Sequence, residues 1–262
     1  MPRFSAHLTQ LFTELPFAER FAAAARAGFK GCEFRSPYEH GTSDVARWLS
    51  DSGLECVLFN LPAGDWARGE RGIAALPGRA VEFRDSVHVA LDYARALGTR
   101  QLHVMAGVVV AGAPVEACRE TFVANLRFGA ELASREGVVL LIEALNTRDT
   151  PGYFLTTQAQ ADAIRSDVGA ANVKLQLDFY HAQRMEGDLA AKLNEYLPVI
   201  GHVQVAGVPG RHEPDDGEVN YSYLLRLLDE LGYGGWVGCE YVPRDGTVKG
   251  LRWMQSIDRK ER

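Results

Sequence analysis

Five times along the chain a helical pattern runs through a glycine into a β-rich stretch: "AARAGFKGCEF", "LSDSGLECVLF", "ARALGTRQLHVM", "ASREGVVLLIE" and "LDELGYGGWVGCE". The glycines, Gly28, Gly53, Gly98, Gly137 and Gly232, stand where a helix end needs a left-handed residue, which glycine supplies without a Cβ penalty. Ahead of them apolar residues recur every three or four positions, as in Phe83, Val87, Leu91 and Ala94 and again in Phe122, Leu126, Ala130 and Ala133. Each helix thus has one face to bury. With "FSAHL", "KLQLD" and "HVQVA" added, strand candidates fall near residues 4, 31, 56, 102, 140, 176, 203 and 238. Strands alternating with helices are parallel strands joined by crossovers, and eight such units in 262 residues predict an α/β chain folded as a (β/α)8 TIM barrel, one domain over residues 1–262. An open doubly wound sheet is the competing architecture, but it carries a Gly-rich phosphate loop after its first strand, and "HLTQLFTELP" is not one.

In such a barrel the active site lies at the C-terminal ends of the strands. The predicted fifth strand ends on Glu143, the sixth on Asp178 and the eighth on Glu240, and Gln204 is near the end of the seventh. Strand side chains alternate, so Leu141 and Glu143 share a face, as do Gln176 and Asp178, His202 and Gln204, and Gly238 and Glu240. If that face lines the barrel, three carboxylates and an amide converge at one mouth. Like charges at such range repel unless a cation sits among them or some are protonated. A lone acid at a strand end is usually a helix cap or a surface charge, but four oxygen donors in phase on consecutive strands are hard to place that way. All-oxygen ligation predicts a divalent cation, Mg²⁺ or Mn²⁺, rather than zinc. His181, three residues past Asp178 in "LDFYHAQ", is placed to hydrogen-bond a substrate there. His202 reads as a packed interior residue, His7 is open, and His88 and His103 sit in apolar patterns that favour a structural role.

Two predicted strand-to-helix loops are long: "NLPAGDWARGERGIAALPG" after the third strand and "AGVPGRHEPDDGEVNY" after the seventh. Long ordered loops in compact domains are usually functional. They carry Arg68, Arg71, Arg211 and His212, and "ALNTRDTPGYF" adds Arg148. Cations beside an acidic metal site suit a substrate with its own negative charge. Arg211 and His212 are the candidates for contact, and Arg68, Arg71 and Arg148 read as solvated surface groups.

Composition narrows the partners. With 28 basic and 34 acidic residues the net charge is −6, and no basic run offers the footprint that nucleic acid needs. No stretch reaches the length of a membrane span, and "MPRFSAHLTQLF" does not read as a targeting segment. A cytoplasmic location follows as the expectation. Cys32, Cys56, Cys118 and Cys239 form no CxxC pair and read as buried, reduced thiols. Self-association is left open, with Trp253 either at an interface or in the core.

The phrases "NLPAGDWARGERGIA", "IEALNTRDTPGYFLTT", "LDFYHAQ", "QVAGVPGRHEPDDGEVNY" and "GWVGCEY" resemble those of the hydroxypyruvate isomerase family, within the xylose-isomerase-like barrels. The likeness spans nearly the whole chain; "CEFRSPYEH" matches more loosely, since some members have a hydrophobic residue where Arg35 stands. The resemblance implies an enzyme that interconverts hydroxypyruvate and tartronate semialdehyde, with one divalent metal on Glu143, Asp178, Gln204 and Glu240. It further implies catalytic roles for Glu143 and Glu240 in proton transfer through an enediolate, and, by likeness to ketose 3-epimerases, substrate contacts from His181 and Arg211. A 2-oxo-tetronate isomerase is the nearest alternative. A ketose 3-epimerase typically has His where Gln204 stands, a silent sugar-binding barrel has little reason to keep all four ligands, and a metal-dependent DNA-repair nuclease needs more His ligands and a basic groove.

Overall fold

The computed structural model describes residues 2–109 and 112–254. Eight parallel strands close into a barrel in sequence order: β1 (Arg3–His7), β2 (Gly31–Phe34), β3 (Glu55–Asn60), β4 (Gln101–His103), β5 (Val139–Glu143), β6 (Val173–Asp178), β7 (Ile200–Val205) and β8 (Trp236–Cys239). The predicted fold and all eight predicted strand positions are borne out. Around the barrel lie α1 (Phe17–Arg26), α2 (Thr42–Ser52), α3 (Ala80–Leu97), α4 (Val115–Arg135), α5 (Gln158–Val168), α6 (Phe179–Met185), α7 (Leu189–Tyr196), α8 (Tyr221–Glu230) and α9 (Thr247–Gly250). None of the helices among the described residues is long and apolar enough to cross a membrane.

Helix ends follow the glycines. Helices α2 and α3 both stop on a left-handed residue, Gly53 at φ 66° and Gly98 at φ 70°, where a side chain would be strained. The apolar stripe of α3 puts Phe83, Val87 and Leu91 in the core, each stabilising the fold by roughly 1.5–3 kcal/mol through burial. Trp253 belongs to this core as well: it is 2% exposed, packs edge-on against Phe4 and donates from Nε1 to the Tyr241 hydroxyl. The four cysteines are all buried and free.

The barrel interior changes character along its axis. Toward the N-terminal ends of the strands, Val57, Leu58, Leu141 and Trp236 form a small apolar cluster of their own. Above it the register aligns Asp178 with Gln204, Gln204 with Gly238 and Gly238 with Ser5. Glu143 is aligned with Gln176. A continuous polar layer thus sits at the mouth. Strand β8 ends at Cys239, so Glu240 lies one residue beyond it, and α6 begins directly after Asp178.

Candidate active site

Asp178 has two tasks in the backbone: it ends β6, and its Oδ1 accepts from the Tyr180 N–H at 2.7 Å as the N-cap of α6. Capping satisfies a helix N–H that would otherwise be orphaned. The tight strand-to-helix turn then brings His181, in the first turn of α6, back over the strand end, with Nε2 3.6 Å from Asp178 Oδ2. This is why a carboxylate and an imidazole stand three residues apart in "LDFYH".

Glu143, Gln204, Glu240, His181 and Arg211 line one cavity of about 210 Å³. Asp178 is fully buried at its edge, with Arg211 Nη2 3.8 Å from its Oδ2. Arg211 Nη2 is also 3.1 Å from Glu240 Oε2. Its backbone lies in the left-handed region, φ 56°, an uncommon conformation for a side-chain-bearing residue. Gln176 donates from Nε2 to Glu143 Oε2 at 3.0 Å and to Gln204 Oε1 at 2.6 Å, bridging the two strands flanking β6.

Burial and charge push these carboxyls apart. Burial raises Glu143 well above the usual carboxylate range, and Asp178 and Glu240 add to it. Burial likewise raises Asp178 to about 7, against the pull of Arg211. For Glu240 burial acts in the same direction, but Arg211, His7 and Arg35 outweigh it and hold the group below its ordinary value. His181 is kept neutral by burial and by Arg211.

Glu143, Asp178 and His181 are buried together, with potential ligand atoms all within 4.8 Å of one another. Among the described residues, Glu143 Oε1 and Asp178 Oδ2 have no hydrogen-bond partner. Buried carboxylate oxygens left unpartnered are costly, and a divalent cation is the group that satisfies them; an oxygen-rich donor set suits a hard one. The residues present therefore fit a divalent cation. His181 plays a different part. The Asn146 N–H donates to His181 Nδ1 at 3.0 Å, so the neutral ring carries its proton on Nε2 and faces the site as a donor, not as a ligand.

Other predicted positions divide. His212 does not line the cavity; its ring lies against the Val242 carbonyl, Nδ1 to O 2.8 Å. Arg68 and Arg148 are exposed, while Arg71, expected at the surface, lines the cavity. His202 is packed inside as expected, Nε2 2.9 Å from Glu33 Oε2. His103, read as structural, instead lines the cavity, Nε2 3.6 Å from Glu143 Oε2. His7 lines it too, Nε2 3.5 Å from Glu240 Oε1. Glu33, Arg35 and Trp66 were not singled out from the sequence as site residues. Glu33 is fully buried and accepts from Gln204 Nε2 at 2.7 Å; an acid inside the apolar run "GCEF" was the available signal.

A sequence profile of the xylose isomerase-like TIM barrel family matches residues 21–257. The chain belongs to this family. It is 52% identical to 2-oxo-tetronate isomerase of Cupriavidus necator (strain H16), over 97% of this chain and 98% of that protein. It is 48% identical to hydroxypyruvate isomerase of Escherichia coli, again over 97% and 98% of the two chains. A crystal structure described as AP endonuclease, family 2, from Brucella melitensis superposes with a TM-score of 0.96 at 50% identity, covering 98% of this chain and 99% of that one. The curated relatives are isomerases, and so is this protein.

Proposed function

We propose that the chain isomerises a short 2-oxo-3-hydroxy acid, moving the carbonyl from C2 to C3, with hydroxypyruvate converted to tartronate semialdehyde. The observation that carries this reading is that the Glu143 and Glu240 carboxyls line one small cavity together, with Arg211 Nη2 3.1 Å from Glu240 Oε2. Two carboxyl groups facing one bound molecule can serve as the base and the acid of a proton transfer.

Glu240, held ionised by Arg211, removes a proton from C3 of hydroxypyruvate, whose hydroxymethyl carbon is acidified by the neighbouring ketone. An enediolate results. Glu143 returns a proton to C2, and the hydroxyl proton passes from the C3 oxygen to the C2 oxygen, so the product is an isomer with no net loss or gain of atoms; Glu240 then gives its proton to solvent and Glu143 takes one up, which restores the site. His181 donates from Nε2 to a substrate oxygen while negative charge develops on it, the moment at which such a bond contributes most. Glu143, Asp178, Gln204 and Glu240 would hold a divalent cation, Mg²⁺ or Mn²⁺, which when bound supplies Lewis-acid stabilisation of negative charge on substrate oxygens. The cavity walls fix the reacting carbons between the two glutamates, and positioning of this kind supplies much of a rate enhancement.

The 52% identity to the Cupriavidus protein favours a second substrate, 2-oxo-tetronate, which carries one more carbon on C3 and undergoes the same shift. A proton NMR time course in D₂O with each acid, with Mg²⁺ or Mn²⁺ and with EDTA, tests both. Metal-dependent isomerisation with deuterium incorporated at carbon, abolished in Glu143→Gln and Glu240→Gln, is the expected result. Turnover of the tetronate alone would move the assignment to that substrate, and substantial activity in either variant would remove its glutamate from the chemistry.

A further inference from the structure

One side of the cavity is cationic, and the proton transfers above leave it without a task. Arg35, just after β2, and Arg71, on the long loop after β3, both line it. Arg35 Cζ lies 3.9 Å and Arg71 Cζ 3.6 Å from the centre of the Trp66 ring. Two guanidinium groups cannot share one face at those distances without overlapping, so the indole is held between them. The turn bearing Trp66 is itself tied down: Glu70 Oε2 accepts from the Asp65 N–H at 2.6 Å, and Arg79 Nη1 donates to Glu70 Oε1 at 2.8 Å.

The two arginines are not equally committed. Arg71 Nη1 donates to the carbonyls of Trp66 at 3.1 Å and Glu70 at 2.7 Å. Arg35, among the described residues, makes no hydrogen bond or ion pair through its guanidinium, which rests on the indole. Glu240 attracts Arg35 only through space, and its ion-pair partner is Arg211 at 3.1 Å. Arg35 and Trp66 also form a partition. A second cavity of about 690 Å³ lies beyond them, with Phe17, His40 and Leu61 in its lining, and Arg35 and Trp66 are the residues common to both linings.

An unanswered guanidinium on the wall of a small polar cavity is a site for an anion. We propose that Arg35 and Arg71, stacked on the two faces of Trp66, form the carboxylate-binding subsite of this cavity, with Arg35 as the bidentate partner; the inference rests on the reading that the substrate is a 2-oxo acid. The planar fork of Arg matches a carboxylate, and stacking on an indole restricts its rotamers before the substrate arrives. Less entropy is then lost on binding. The subsite selects acids over neutral sugars of the same length and anchors the acid end so that C2 and C3 face Glu143 and Glu240. Trp66 acts through the arginines, as a positioning residue.

The test pairs binding with kinetics on Mn²⁺-loaded protein. Calorimetry follows glycerate, a three-carbon hydroxy acid, and glycerol, its neutral counterpart, with wild type, Arg35→Leu, Arg35→Lys and Arg71→Leu; kcat and KM for hydroxypyruvate are measured in parallel. Loss of a charge-assisted contact predicts at least about tenfold weaker glycerate binding and a KM raised to match in Arg35→Leu, with smaller losses in the other two. Mn²⁺ affinity stays as in wild type. Glycerate bound by wild type no better than glycerol, or bound equally well by a folded Arg35→Leu, overturns the subsite. Should Arg35→Leu not fold, the same comparison is decided by Arg35→Lys and Arg71→Leu. Arg35-dependent glycerate binding in a wild type inert to both acids would keep the subsite and remove the proposed reaction; turnover with a KM indifferent to Arg35 would do the reverse.

Discussion

The backbone N–H of Asn146 donates to Nδ1 of His181 at 3.0 Å, so the loop after β5 sets the tautomer of a side chain on α6. A main-chain N–H can only donate, which leaves Nε2 to carry the ring proton. His181 is therefore a hydrogen-bond donor beside the carboxylates even though it lies within ligand distance of them.

Replacing His181 with Ala is accordingly expected to lower kcat/KM by roughly 10²–10³-fold, the range for losing a donor aimed at developing charge. The rise in melting temperature on adding Mn²⁺ should persist. Steady-state kinetics with thermal melts in EDTA and in Mn²⁺ check this, and a variant that no longer gains stability from metal would make the imidazole a ligand.

The metal's contribution to stability should grow with pH. Asp178 ordinarily titrates near 3.8 and is raised by burial to about 7 in the metal-free fold, so between those values the folded state holds a proton that the unfolded chain has released. The stability it contributes is complete below the ordinary value and is lost as pH rises through about 7. A divalent cation takes over from the proton. Melts across about pH 5 to 8 should show a Mn²⁺-induced gain that increases through neutrality, and calorimetry should show protons released on binding. A gain independent of pH would mean that the carboxylates are already ionised without metal.

How much of this was legible follows from where each signal resides. Asp178 and Gln204 stand at or near the ends of runs with period-two alternation, Glu143 ends a short apolar run, and closing the barrel in sequence order was enough to bring them together. His103 was misjudged because a histidine in an apolar strand has the same local pattern whether it packs in the core or faces the mouth; only the register with β5 places it against Glu143. Arg35 and Trp66 come from different loops and meet only in three dimensions. His212 shows the converse: a loop adjacent to the site in sequence can still turn a side chain away, here toward the Val242 carbonyl.

Glu33 holds the polar layer together from below. Its Oε1 accepts from Gln204 Nε2 at 2.7 Å, its Oε2 accepts from Ser5 Oγ at 2.6 Å, and His202 Nε2 lies 2.9 Å from Oε2. The first contact orients the Gln204 amide, turning its oxygen toward Gln176, whose Nε2 donates to it at 2.6 Å. Glu33→Ala should cost about 3–5 kcal/mol in unfolding free energy, as when one partner of a buried pair is removed, and should weaken Mn²⁺ binding about 10–100-fold, as for groups that orient metal ligands. Urea unfolding and metal titration measure the two separately; a stable variant with wild-type metal affinity would reduce Glu33 to a packing residue.

Gly238 is the residue that makes room for that carboxylate. A Cβ built there would lie 2.2 Å from Glu33 Oε1 and 2.7 Å from its Cδ. Glu33 cannot swing aside cheaply, because Ser5 and Gln204 hold both of its oxygens. Gly238→Ala is expected to destabilise the fold by about 1–3 kcal/mol through overpacking and to weaken metal binding by displacing the Gln204 amide. The double variant with Glu33→Ala separates the causes. If the added methyl acts by colliding with the carboxylate, its cost should largely disappear once the carboxylate is gone, and the two substitutions will be strongly non-additive. Urea midpoints of the four proteins supply the cycle; additive losses would mean that the β8 backbone, and not Glu33, absorbs the new side chain.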